Sequence, residues 1–137
     1  MRATVTESTQ RFFDARPGSV CQAREFATAT LTDWGMLRRI EDIRLCVSEL
    51  ATNALVHGTA AGRGYLVKLD TEEDTVRLEV HDSCRLRPEV RQATERDPGG
   101  RGLMLVSTIA DGWGVEDRSP LGKIVWSCFE AAGGAAE

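Results

Sequence analysis

The chain has 137 residues, 17 basic and 21 acidic side chains for a net charge of −4, and 42% hydrophobic against 28% charged residues. That length and balance fit one globular domain with its own core, and they exclude a disordered, fibrous or low-complexity protein. The acidic balance, without a long run of Lys or Arg, argues against direct nucleic-acid binding, and no stretch approaches the ~20 apolar residues of a membrane span.

In chain order, Gln10 to Ala15, with Phe12 and Phe13, reads as a first strand stopped by Pro17 and Gly18. Ser19 can then cap a helix whose Val20, Ala23, Phe26, Ala27, Thr30 and Leu31 recur at helical spacing and which ends near Trp34-Gly35. Ile40, Ile43, Val47, Leu50, Ala54 and Leu55 predict a second, longer helix from about Leu37 to His57. Two alternating runs, Tyr65-Val67-Leu69 and Val76-Leu78-Val80, predict a hairpin closed by an acidic turn.

Ser83 to Gly99 holds Pro88 and Pro98 and little periodicity, apart from room for a short helix at Glu89 to Ala93. A loop this long in a compact domain argues for a lid over a ligand. Gly99-Gly100-Arg101-Gly102 then opens a helix through Leu103, Leu105, Val106, Ile109 and Ala110, ended by Asp111-Gly112. Trp113 to Asp117 and Lys123 to Phe129, joined at Ser119-Pro120-Leu121-Gly122, predict a last hairpin. The order predicts an α+β, two-layer sandwich: a mixed or antiparallel sheet with helices packed on one face. One domain over residues 1–130 with a frayed tail at 131–137 is expected.

Cys21, Cys46, Cys84 and Cys128 are scattered without CxxC pairs, and Met1 to Gln10 lacks the apolar segment of a signal peptide. Free thiols in a cytoplasmic protein are expected, with Cys46 and Cys128 buried as small apolar groups.

Chemistry concentrates in Glu49-Leu50-Ala51-Thr52-Asn53-Ala54-Leu55-Val56-His57-Gly58. Glu49, Asn53 and His57 follow one another at four-residue spacing, which puts a carboxylate, a carboxamide and an imidazole on one helical face. Asn53 can offer an amide oxygen to Mg2+, and Glu49 can accept a proton from an attacking hydroxyl or water. The same pair also suits a solvated helix face, and His57 beside Gly58 suits a C-terminal cap. Asp82, where an alternating strand stops, can accept a hydrogen bond from adenine N6 or serve as a turn residue. Gly99, Gly100 and Gly102 supply a turn feeding a helix N-terminus, which suits phosphate oxygens or a flexible loop.

Taken together and in this order, the three elements resemble a known family. Glu49 to Gly58 is similar to the N box, Val80-His81-Asp82 to the start of the first glycine box, and Gly100-Arg101-Gly102-Leu103 to the second glycine box of the GHKL ATP-binding domains of gyrase, histidine kinases and MutL, the Bergerat fold. Within that group, Val47 to Gly58 and the ending Gly122-Lys123-Ile124-Val125-Trp126 most resemble anti-sigma factor serine/threonine kinases of actinobacterial type.

The resemblance, which runs from about Gln10 to Glu130, implies binding of Mg2+ and ATP, sequestration of a sigma factor, phosphorylation of a serine of an anti-sigma antagonist, and a possible homodimer. It implies Glu49 as general base and Asn53 as Mg2+ ligand. Asp82 becomes the adenine reader, His57 a further nucleotide-binding residue, and Gly99, Gly100, Arg101, Gly102 and Leu103 the phosphate side, under a lid over Ser83 to Gly99. Two positions depart from the pattern. Asp82 is followed by Ser83, Cys84, Arg85 and Leu86 in place of Asp-x-Gly-x-Gly, and a Thr common in the last strands, which helps the Asp hold adenine through water, is replaced by Ile124. These departures keep a kinase-weak or inactive binding module of the same fold as an alternative. A detached histidine-kinase catalytic domain is a weaker one.

Overall fold

The alternating runs form five strands: β1 (Thr6–Phe13), β2 (Tyr65–Glu72), β3 (Thr75–Asp82), β4 (Gly112–Asp117) and β5 (Lys123–Glu130). The helical runs form α1 (Ser19–Trp34), α2 (Ile40–Asn53) and α3 (Pro98–Ile109), with a π-helical turn, Ala54–Gly58, continuing α2. The computed structural model describes residues 6–58, 63–82, 98–117 and 122–130, with backbone only at 6, 57–58 and 98–102. The expected lid, its short helix at Glu89 to Ala93, Cys84 and the tail at 131–137 lie outside the described residues, except that Pro98 and Gly99 belong to α3.

The sheet is antiparallel throughout, in the order β1-β2-β3-β5-β4. Its period of two sends Tyr65, Val67, Leu69, Val76, Leu78, Val80, Val125 and Phe129 to one face, where they are buried with Ala23, Ala27 and Leu31 of α1 and Ile43, Cys46, Val47, Leu50 and Ala51 of α2. Leu103 and Val106 bring α3 into the same core. Helices on one face of an antiparallel sheet make the two-layer α+β sandwich that the order of elements predicts.

β1 begins four residues earlier than expected and ends at Phe13, whose ring stacks on Tyr65 at 5.7 Å and meets Phe26 edge-on at 5.9 Å. Ser19 does not cap α1. Gly18 holds the cap position, and Ser19, already inside the helix, shares a 2.7 Å hydrogen bond with the Tyr65 hydroxyl in the core. A buried phenol needs such a partner. At the other end Gly35, at φ +74°, closes α1 by donating to the carbonyls of Leu31 and Thr32, as its left-handed conformation allows.

α2 begins at Ile40 rather than near Leu37, with Glu41 and Asp42 in its first turn where the helix dipole favours negative charge. Pro98 starts α3 ahead of the glycines, because its fixed φ suits the first helical position. Leu105 is 39% exposed, so α3 buries a narrower stripe than its apolar content suggested. Cys46 is buried, while Cys128, on the outer face of β5, is only partly so, which corrects its expected burial.

Candidate functional site

Arg39 fixes the orientation of everything around it. Its Nε and Nη1 donate to Asp42 and Asp111 at 2.9 Å each, its Nη2 to the Ile109 carbonyl at 3.0 Å and its Nη1 to the Glu130 carbonyl at 3.2 Å. The start of α2 therefore meets the end of α3 and the end of β5, so α2 and α3 run antiparallel. At about 1.5 Å per helical residue and about 3.4 Å per strand residue, the opposite ends of these elements lie some 20 Å away. Those ends are Asn53 with the π turn, the Gly99-Gly100-Arg101-Gly102 turn of α3, and Lys123. Asp82 joins them, because β3 pairs with β5 in the register Asp82↔Lys123. Packing of the π turn against β3 and of α3 along α2 completes the cluster.

Glu49 and Asn53 are both half-buried one turn apart on α2, as their spacing predicts. Ser48, next to Glu49, takes a 3.2 Å hydrogen bond from Arg24 Nη1 of α1 and donates to the Arg44 carbonyl. Asn53 is the last α-helical residue, and from Ala54 the chain continues as a π turn that contains His57. The His57 side chain lies outside the described residues.

The glycines sit differently from a turn that precedes a helix. Gly99, Gly100, Arg101 and Gly102 follow Pro98 in the opening turn of α3, where the N–H groups of the first residues, Gly99 and Gly100 among them, have no intrahelical acceptor and the dipole is positive. Leu103, 1% exposed, packs this turn onto the core and is not a surface available to a ligand.

Asp82 ends β3 on the inner face, 4% exposed, and forms a buried ion pair with Lys123: Nζ lies 2.9 Å from Oδ2 and 3.1 Å from Oδ1. Sequence reasoning passed over Lys123. The signal was its place opposite Asp82 once the two strands are aligned, which needs the register and not the composition. Ile124 pairs with His81 on the other face, alternating with the buried Lys123 and Val125. The position that departs from the family pattern is therefore not the one that faces Asp82.

On that outer face Glu79 accepts from Arg77 Nε at 2.8 Å and pairs with His81 Nε2 at 2.7 Å. Burial pushes the Glu79 carboxyl up, but the hydrogen bonds from His81 and Arg77 outweigh it and hold the group below its usual range. Arg77 also stacks over Trp126 at 4.6 Å. This network braces the strand that presents Asp82 without entering the site.

Among the described residues no three His, Cys, Asp or Glu side chains gather as a metal cage, and no helix is long and apolar enough to cross a membrane. The family model described as "Histidine kinase-like ATPase domain" matches residues 13–129. No curated protein matches closely enough to count as a relative. Among solved structures, the crystal structure of the RsbU and RsbW domains of Rv1364c from Mycobacterium tuberculosis is similar, with a TM-score of 0.69 and 20% sequence identity. The match covers 90% of this chain and 32% of that one, so the chain spans about a third of its neighbour's length. With the family's three motifs brought to one end of the sandwich, the chain belongs to the histidine kinase-like ATPase domain family, the GHKL group.

Proposed function

We propose that this domain is an ATP-dependent protein serine kinase that also sequesters a sigma factor, and that its phosphate acceptor is a serine of an anti-sigma antagonist. The observation that carries the reading is the convergence of Glu49, Asn53, Asp82 and the first turn of α3 at the end of the sandwich opposite Arg39. The resemblance to anti-sigma factor kinases and the similarity to a structure containing an RsbW domain support it.

In this reading Asp82 accepts from the adenine N6 amine, and Gly99, Gly100, Arg101 and Gly102 line the phosphates with the N–H groups of the α3 N-terminus. Leu103 roots that turn in the core. The Asn53 carboxamide oxygen is a hard donor suited to Mg2+, whose charge when bound offsets that of the phosphates; a cation that completes its shell with phosphate and water oxygens needs few protein ligands, which fits the donor set here. Glu49 takes the proton of the incoming serine hydroxyl as its oxygen bonds to the γ-phosphorus and ADP departs. His57 follows in the π turn as a further nucleotide-side residue.

Incubation with γ-labelled ATP and a candidate antagonist tests the reading. Label should appear on serine and be lost with Glu49→Ala, while sigma-factor binding persists. No transfer, with nucleotide bound equally by parent and variant, sinks the kinase assignment. Cys84 and Leu86 in place of the first-box glycines favour one second reading, a binding module of the same fold with little transfer. Calorimetry distinguishes it by partner binding without ATP binding.

A further inference from the structure

We propose that Lys123 is a specificity residue of the nucleotide site, donating from Nζ to N1 of the purine while Asp82 accepts from N6; the proposal rests on the reading of Asp82 as the adenine contact. The geometry points to the pair acting together. Asp82 and Lys123 face each other across β3 and β5 on the inner side of the sheet, at 4% exposure each, with Nζ 2.9 and 3.1 Å from the two carboxylate oxygens. An acceptor and a donor fixed side by side are the complement of the adenine edge, where an N6–H donor sits beside the N1 acceptor.

Charge favours the arrangement as well. A lone buried carboxylate would carry an uncompensated charge against a neutral base, whereas the ion pair is neutral as a unit and still presents a strong acceptor and a strong donor. A carboxylate holds about four lone-pair sites and an ammonium three donors, so a base edge competes for one site on each and the pair stays together. Ile124 faces away, and Lys123 is the side chain of β5 that stands opposite Asp82. Direct donation from Lys123 thus takes the place of a hydroxyl and water in reading N1. GTP presents the reverse order at this edge, an O6 acceptor beside an N1–H donor, and fits less well.

Calorimetry on the full chain with Mg2+ and ATP, 1-deaza-ATP or GTP tests this. ATP should bind at least roughly tenfold more tightly than 1-deaza-ATP, which lacks the N1 acceptor and leaves the ammonium without that partner. GTP should also bind more weakly than ATP. In Lys123→Met the difference between ATP and 1-deaza-ATP should vanish, whatever the loss of the neutralising charge does to both. Lys123→Gln, a neutral donor, serves if the methionine variant does not fold, and should keep part of the preference. Equal binding of ATP and 1-deaza-ATP by the parent, binding of GTP as tight as ATP, or full N1 discrimination in folded Lys123→Met each overturns the role of Lys123. Absence of any ATP binding by the parent overturns the nucleotide reading itself, a separate outcome.

Discussion

Arg39 Nη1 donates to Asp111 Oδ2 at 2.9 Å, and the same oxygen accepts the Glu130 N–H at 2.7 Å. Three elements distant in the chain, the starts of α2 and β4 and the end of β5, are thereby tied through one side chain. Burial works against the guanidinium charge, but the hydrogen bonds to Asp111 and Asp42 outweigh it and raise the Arg39 pKa. Arg39→Ala should lower stability by about 2 kcal/mol, because it leaves two carboxylates and two carbonyls short of a donor and removes the stack on Phe129. Urea unfolding checks this, and a loss within error of zero would show the clamp to be ornamental. Lysine should restore only part, since it lacks the planar fork.

Glu79 gives a pH signature. Its folded pKa lies below the ordinary glutamate value of 4.5, so its contribution is present above about that pH and is lost as pH falls through the folded value. The parent should lose stability on acidification below pH 4.5, and Glu79→Gln should show a shallower decline there while being less stable at neutral pH by about 1 kcal/mol. Thermal unfolding from pH 7 to pH 3 gives both slopes, and parallel curves would count against the network.

Gly64 stands just before β2, where a Cβ would collide with the Phe13 carbonyl oxygen and the Phe12 ring. The carbonyl is backbone at the end of β1 and cannot turn aside. Gly64→Ala should cost about 2 kcal/mol or more, and the damage should appear as increased amide exchange in β1. Stability equal to the parent would show that β1 can shift freely.

The Cys46 thiol is pushed up to about 12 by burial first and by Asp42 second. It should therefore resist alkylation in the native protein at pH 8, while exposed Cys21 reacts. With Cys21, Cys84 and Cys128 replaced by serine, labelling of Cys46 should follow the rate of global opening across a denaturant series. Fast labelling in the absence of denaturant would mean that α2 opens locally.

Much of this was legible because it rests on period. The hairpin of β2 and β3, the cores of α1 and α2, and the Glu49 to Asn53 spacing follow from alternation and helical recurrence, which local sequence determines. What the sequence did not show depends on neighbours brought from afar. Ser19 looked like a cap because nothing local announces Tyr65, 46 residues on, as its partner. Lys123 looked like the first residue of a strand until the register put it on Asp82, and Arg39 carried no motif at all. The π turn that contains His57 changes a hydrogen-bond pattern without changing the residue types that favour a helix.

The strand order β1-β2-β3-β5-β4 also sets when the site can exist. β2 with β3 and β4 with β5 are hairpins that close over short loops, whereas β3 reaches β5 only by closing a loop of 41 residues at Asp82 and Lys123 and longer ones beyond. Loop-closure entropy delays such pairings, so the two hairpins form early and their union late. Asp82 gains its partner in that late step, so a newly made or refolding chain can hold much of its secondary structure before the buried Asp82–Lys123 pair exists.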